Sequence, residues 1–150
     1  MTLPEPGVYW IISSTLTDAC ASVHIGERSL RAASLGSSVH YQRWRLTYIE
    51  PDGDSPEVYC VLTEATNDSF TLGVNIQQLG ENVSGLDSPQ RWVIKETGSS
   101  TYILYQLRRD DDGDPGIKFV WSVQQTFNPP IYISYEGETR AQSWFFIPAF

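Results

Sequence analysis

Short runs rich in Val, Ile, Tyr, Phe, Trp and Thr alternate along this chain with clusters of Gly, Pro, Asn and Asp. β-branched and aromatic residues suit a pleated, half-buried surface, and the punctuating residues suit turns, so the pattern predicts strands joined by hairpins. Helical periodicity is nowhere sustained. Twelve strands are predicted, at 8–13, 20–25, 29–33, 42–49, 57–63, 69–73, 75–79, 91–96, 101–108, 117–123, 131–135 and 142–147.

One tripeptide recurs through this pattern: Gln42-Arg43-Trp44, Gln90-Arg91-Trp92 and Gln142-Ser143-Trp144, with 48 and 52 residues between successive tryptophans. Each leads into an apolar segment (Trp-Arg-Leu-Thr-Tyr-Ile, Trp-Val-Ile-Lys, Trp-Phe-Phe-Ile), and each third opens on a Tyr-containing run such as Val8-Tyr9-Trp10-Ile11-Ile12. The chain divides into units near 1–50, 51–98 and 99–150. Three four-stranded units, each with Gln-x-Trp before its last strand, resemble the β-trefoil over the full length. The resemblance implies an all-β single domain whose Trp44, Trp92 and Trp144 point inward and find partners for their indole N–H groups.

Composition narrows the partners. Eighteen acidic against ten basic residues give a net charge of −8, which opposes nucleic acid and anionic membrane surfaces. No run approaches the roughly 18 apolar residues of a membrane span, and the opening Met1-Thr-Leu-Pro-Glu-Pro-Gly has no leader pattern. A soluble, cytoplasmic monomer is expected. Cys20 and Cys60 lie far apart in apolar surroundings and are expected as small core residues rather than a disulfide framework. The sequons at Asn67 and Asn82 are then coincidental.

Catalysis is not expected: His24 and His40 have no matched nucleophile, and the common phosphate-loop, serine-hydrolase and zinc motifs are missing. Asp110-Asp111-Asp112-Gly113-Asp114 invites a calcium reading, but Pro115 stands where a calcium loop needs its turn glycine and Trp121 where it needs the closing Glu. A solvated turn is expected there and at Asp52-Gly53-Asp54, with no metal and no cofactor.

With the core committed to symmetry, function falls to the loops. Two classes compete. Gln-x-Trp is carried by ricin-type lectin repeats, which also place an Asp in a turn, an aromatic platform and a downstream Asn in each active repeat. The corresponding stretches here, at Asp18, Thr66-Asn67-Asp68 and the Asp110 cluster, differ from one another, and no unit has the full set. The alternative is a rigid loop offered to a protease. The turn Val23-His24-Ile25-Gly26-Glu27-Arg28-Ser29-Leu30-Arg31 carries Arg at its tip followed by a small residue, and a guanidinium there suits a trypsin-like S1 pocket. Arg31, Arg108, Arg109, Lys118 and Arg140 are competitors elsewhere.

The opening Pro-Gly-Val-Tyr-Trp-Ile and the closing Gln-Ser-Trp-Phe-Phe-Ile-Pro are similar to those of the mushroom β-trefoil protease inhibitors, the mycospins in particular. That resemblance implies a fungal defence protein inhibiting a trypsin-like serine protease through Gly26, Glu27, Arg28 as P1 and Ser29 as P1′. The related mycocypins use other loops, including an Asn against legumain, which Asn67 matches by position. Sugar binding of the ricin B type stays as the alternative.

Overall fold

The computed structural model describes residues 2–36, 39–50, 56–107, 117–126, 128–137 and 141–149. Among them the first unit forms β1 (Gly7–Ser13), β2 (Ala19–His24), β3 (Leu30–Ser34), the two-residue β4 (His40–Tyr41) and β5 (Trp44–Ile49). The second forms β6 (Tyr59–Glu64), β7 (Thr71–Gly73), β8 (Ser84–Leu86) and β9 (Trp92–Glu96). The third forms β10 (Tyr102–Leu107), β11 (Lys118–Val123), β12 (Ile131–Tyr135) and β13 (Trp144–Pro148).

The outer strands of each unit close a ring. β1 pairs with β5, β5 with β6, β6 with β9, β9 with β10, β10 with β13, and β13 returns to β1, every pairing antiparallel. Closure removes the open edges that a six-stranded sheet would otherwise expose. The three inner hairpins, β2–β3, β7–β8 and β11–β12, cap one end. A six-stranded barrel with a triangular cap of three hairpins is a β-trefoil.

The cap is sewn together at its centre. Leu30 N–H donates to the Val83 carbonyl at 2.8 Å, and Val83 N–H to the Ile131 carbonyl at 2.9 Å. Leu30, Val83 and Ile131 are fully buried. The Asn82 carboxamide nitrogen donates to the carbonyls of Leu30 at 3.0 Å, Ile131 at 2.7 Å and Val83 at 3.1 Å, so one side chain ties all three units. That nitrogen, the acceptor atom of a sequon, is engaged inside the fold.

Each predicted indole is fully buried and its N–H finds a backbone carbonyl on the second strand of its own unit: Trp44 to Ala21 at 2.9 Å, Trp92 to Leu72 at 2.8 Å, Trp144 to Trp121 at 3.4 Å. Trp121 is a fourth core indole, packed edge-on against Trp92 and Trp144, and its own N–H is buried without a partner. The Gln two residues before each Trp fastens the same hairpin. Gln42 accepts from Gly36 N–H at 2.9 Å and donates to Ser34 and Ser22; Gln142 accepts from Gly137 N–H at 2.8 Å and donates to Tyr135, Ser134 and Ser122.

The strand expected at 75–79 does not form; β8 lies later, at Ser84–Leu86. The Glu81 carboxylate accepts the backbone N–H groups of Asn75 at 2.6 Å, Ile76 at 3.2 Å, Gln77 at 2.8 Å and Gln78 at 3.3 Å. Donors gathered on one carboxylate cannot extend a ladder, and Gln77 sits at φ +63°. The short β4 is an addition that two residues of pairing with β2 define.

Replacing Asn82 with Ala removes the shared donor while leaving the strands intact, and stability is expected to fall by about 1–3 kcal/mol. Urea unfolding with an unchanged m-value measures it; a loss under about 0.5 kcal/mol would mean that the cap holds without this side chain.

Candidate functional site

The loop between β2 and β3 places Gly26, Glu27, Arg28 and Ser29 at the cap. Gly26 takes φ +92° and Glu27 N–H returns to the His24 carbonyl at 2.9 Å, which closes a tight turn. Arg28 leans on the second unit: its guanidinium lies 5.1 Å from the Phe70 ring centroid and 3.4 Å from the Asp87 carboxylate, with a side chain 54% exposed. Contacts of that kind in solvent are worth on the order of 1 kcal/mol or less each, so the side chain is readily released. The backbone is held more firmly. The Arg28 carbonyl accepts Gly85 N–H at 2.8 Å, and Ser29 bridges Ser84.

Gly85 also makes room for the Phe70 ring, with which a Cβ there would collide. Among the competing cations, Arg31 donates to the Asn128 carbonyl at 3.2 Å and Lys118 lies over the Tyr105 ring, 3.9 Å from Glu136. Arg108, Arg109 and Arg140 lie outside the described residues, as do the Asp110–Asp114 cluster and Asp52-Gly53-Asp54.

Asn67 is exposed on the turn after β6. Buried Glu64 organises that turn, accepting from Thr66 N–H, from Asn67 N–H at 2.9 Å and from the Ser69 hydroxyl at 3.3 Å. Asp68 lies 3.4 Å from Arg45. Asp18 is exposed on the turn between β1 and β2, so the two described lectin-like acidic positions sit in separate turns. His24 and His40 meet edge-on at 5.2 Å, and burial together with the neighbouring His24 holds His40 below its ordinary value against the opposing pull of Glu27. No group of three or more potential metal ligands occurs among the described residues.

A groove of about 610 Å³ opens on the barrel wall between the second and third units. It arises where the threefold pattern breaks. The second strands read Ala21-Ser22-Val23, Leu72-Gly73-Val74 and Trp121-Ser122-Val123. Ser22 and Ser122 accept from Gln42 and Gln142. At Gly73 that hydroxyl is missing, and a Cβ would come within 2.5 Å of the Gln90 carboxamide oxygen.

Gln90 fills this space and turns its amide onto the backbone of Val74, accepting from its N–H at 2.9 Å and donating to its carbonyl. It also accepts from Gln106 of the third unit at 3.1 Å, and Gln106 accepts from Gln77 at 2.9 Å. Three carboxamides thus form a relay along one wall. The Arg91 guanidinium, which also lines the groove, stacks 4.8 Å from the Tyr59 ring centroid, and Ile76, 71% exposed, is a further lining residue. Neither Gln77 nor Gln106 was among the residues singled out from the sequence; the Ser-to-Gly change at position 73 is the signal that marks this unit as different.

No protein-family model and no curated protein matches the sequence. Solved structures match the β-trefoil fold along its whole length. A ricin B-like lectin of Macrolepiota procera, solved with lactose, has a TM-score of 0.66 at 15% identity and covers 99% of this chain and 100% of its own. The Rhizoctonia solani agglutinin has a TM-score of 0.71 at 19% identity, covering 99% of both chains. A mosquitocidal holotoxin matches all of this chain with 18% of its own, at a TM-score of 0.74 and 14% identity.

Cys20 and Cys60 are buried and unpaired, and burial pushes both thiols up to about 12. A native titration with a thiol reagent at pH 8 is expected to find no fast-reacting thiol, and both after unfolding. Because an acid with a raised folded value contributes stability that is lost as pH rises through that value, stability should decline from pH ~8.5 upwards. A rapidly modified native thiol, or stability flat up to pH 11, would contradict this.

Proposed function

We propose that this β-trefoil is a carbohydrate-binding module, as the alternative from the sequence holds, rather than an inhibitor of trypsin-like proteases. The fold supports it: two of its structural neighbours, matched over their full lengths, are named as a lectin and an agglutinin, and one was solved with lactose. The observation that carries the choice is the Arg28 carbonyl, which accepts Gly85 N–H inside the cap.

A substrate-like inhibitor must present its P1 carbonyl to the oxyanion hole of the protease and its backbone to the cleft on either side. Inhibition through Gly26, Glu27, Arg28 and Ser29 would therefore require the Gly85 bond and the Ser29–Ser84 bridge to open. These bonds join two units of the cap, so their loss has to be offset from the binding energy. Asn67 offers no comparable conflict through its exposed side chain, but its N–H is held by buried Glu64. Sugar binding needs no such rearrangement, since saccharides settle on preformed surfaces of hydroxyl acceptors, donors and apolar patches.

Retention on immobilised lactose or on another neutral glycan, with elution by free sugar, is the expected outcome. Titration of trypsin is expected to leave its activity unchanged at equimolar protein. Stoichiometric trypsin inhibition that disappears in a folded Arg28→Ala variant, with no glycan retained, would overturn the proposal in favour of the inhibitor.

A further inference from the structure

The second unit carries Gly73 where the other two carry Ser22 and Ser122, and its glutamine is partnered differently. Ser22 and Ser122 satisfy their glutamines within their own units. Gln90 has no such hydroxyl at Gly73 and donates to the Val74 carbonyl, while its oxygen accepts from Gln106 of the next unit, which places a carboxamide at the junction of two units. The relay is directional. Gln77 donates to Gln106 and to the Leu107 carbonyl at 3.2 Å; Gln106 donates to Gln90 and to the Arg91 carbonyl at 3.3 Å. These bonds fix the rotamers of both amides before any ligand arrives, so little side-chain entropy remains to be lost on binding.

Glu81 adds to this preorganisation by fixing the backbone of 75–78, from which Gln77 and Ile76 project. Loop and wall are thus both rigid, and the groove is of a size that takes one or two sugar rings.

We infer that this inter-unit groove is the saccharide site, and that it takes a neutral sugar. The assignment rests on the carbohydrate-binding function proposed above and supplies its place. Carboxamide oxygens accept from ligand hydroxyls, and the Arg91 guanidinium stacked on Tyr59 donates to them. Ile76, 71% exposed, and Ile49, 38% exposed, offer the apolar surface that the C–H face of a pyranose requires. Among the described residues the lining includes no carboxylate and a single cation, on a chain of net charge −8, which disfavours an anionic sugar.

The test is chemical-shift mapping of the isotope-labelled full chain with lactose, N,N′-diacetylchitobiose and sialyllactose. Expected are shifts of the Gln77, Gln90 and Gln106 side-chain amides and of Arg91 Nε with at least one neutral disaccharide. Gln106→Leu, which breaks the relay without adding charge, should weaken that binding at least tenfold. Glycan binding that shifts the turns at Asp18 or at Thr66–Asp68 while the groove amides stay still would overturn the groove and leave the lectin function standing. Binding of sialyllactose alone would overturn the neutral class. No shift with any of the three sugars, and no retention on immobilised glycans, would overturn both function and site.

Discussion

Everything in this fold hangs on a pair of hydrogen bonds made three times. In each unit an indole N–H reaches the backbone carbonyl of the second strand, and a carboxamide two residues earlier clasps the backbone of the same hairpin. The tryptophan belongs to the barrel and the carbonyl to the cap, so the pair fixes the angle at which each hairpin folds over the barrel end. A buried indole brings on the order of 200 Å² of apolar contact, but its N–H has to be satisfied inside, and only one hairpin placement does that. Burial supplies the energy and the hydrogen bond supplies the geometry.

Threefold repetition of such a clamp saturates the interior and leaves the surface to vary. The cap shows the same economy: Leu30, Val83 and Ile131 meet at its centre through backbone hydrogen bonds, and the Asn82 side chain adds a donor shared by all three units. Where one clamp lacks its hydroxyl partner, at Gly73, the glutamine fills the space, binds the Val74 backbone and accepts from Gln106 across the unit boundary. A change of one small residue in the frame becomes a feature of the surface, and the saccharide site inferred for the chain rests on that departure.

The architecture was legible in the sequence because its determinants are large and repeated. Trp44, Trp92 and Trp144 announce themselves at a spacing of about fifty residues, and the barrel strands follow from the apolar runs beside them. The strand expected at 75–79 failed because the deciding residue, Glu81, lies outside the run and acts through four backbone donors. Arg28 was visible as an exposed turn cation, yet the capture of its carbonyl by Gly85 joins residues 57 apart and leaves no local trace. The groove was harder still: Gln77, Gln90 and Gln106 come from three separate segments, and only the comparison of Ser22, Gly73 and Ser122 hints at them.

The most direct test of this account is a crystal structure of the protein grown with a neutral disaccharide. The account predicts a sugar ring between the carboxamide wall and the Arg91–Tyr59 stack, with hydroxyls at about 3 Å from the Gln106 or Gln90 amide. A ring ordered in one of the single-unit turns, with the carboxamide relay undisturbed and solvent in the groove, would contradict it.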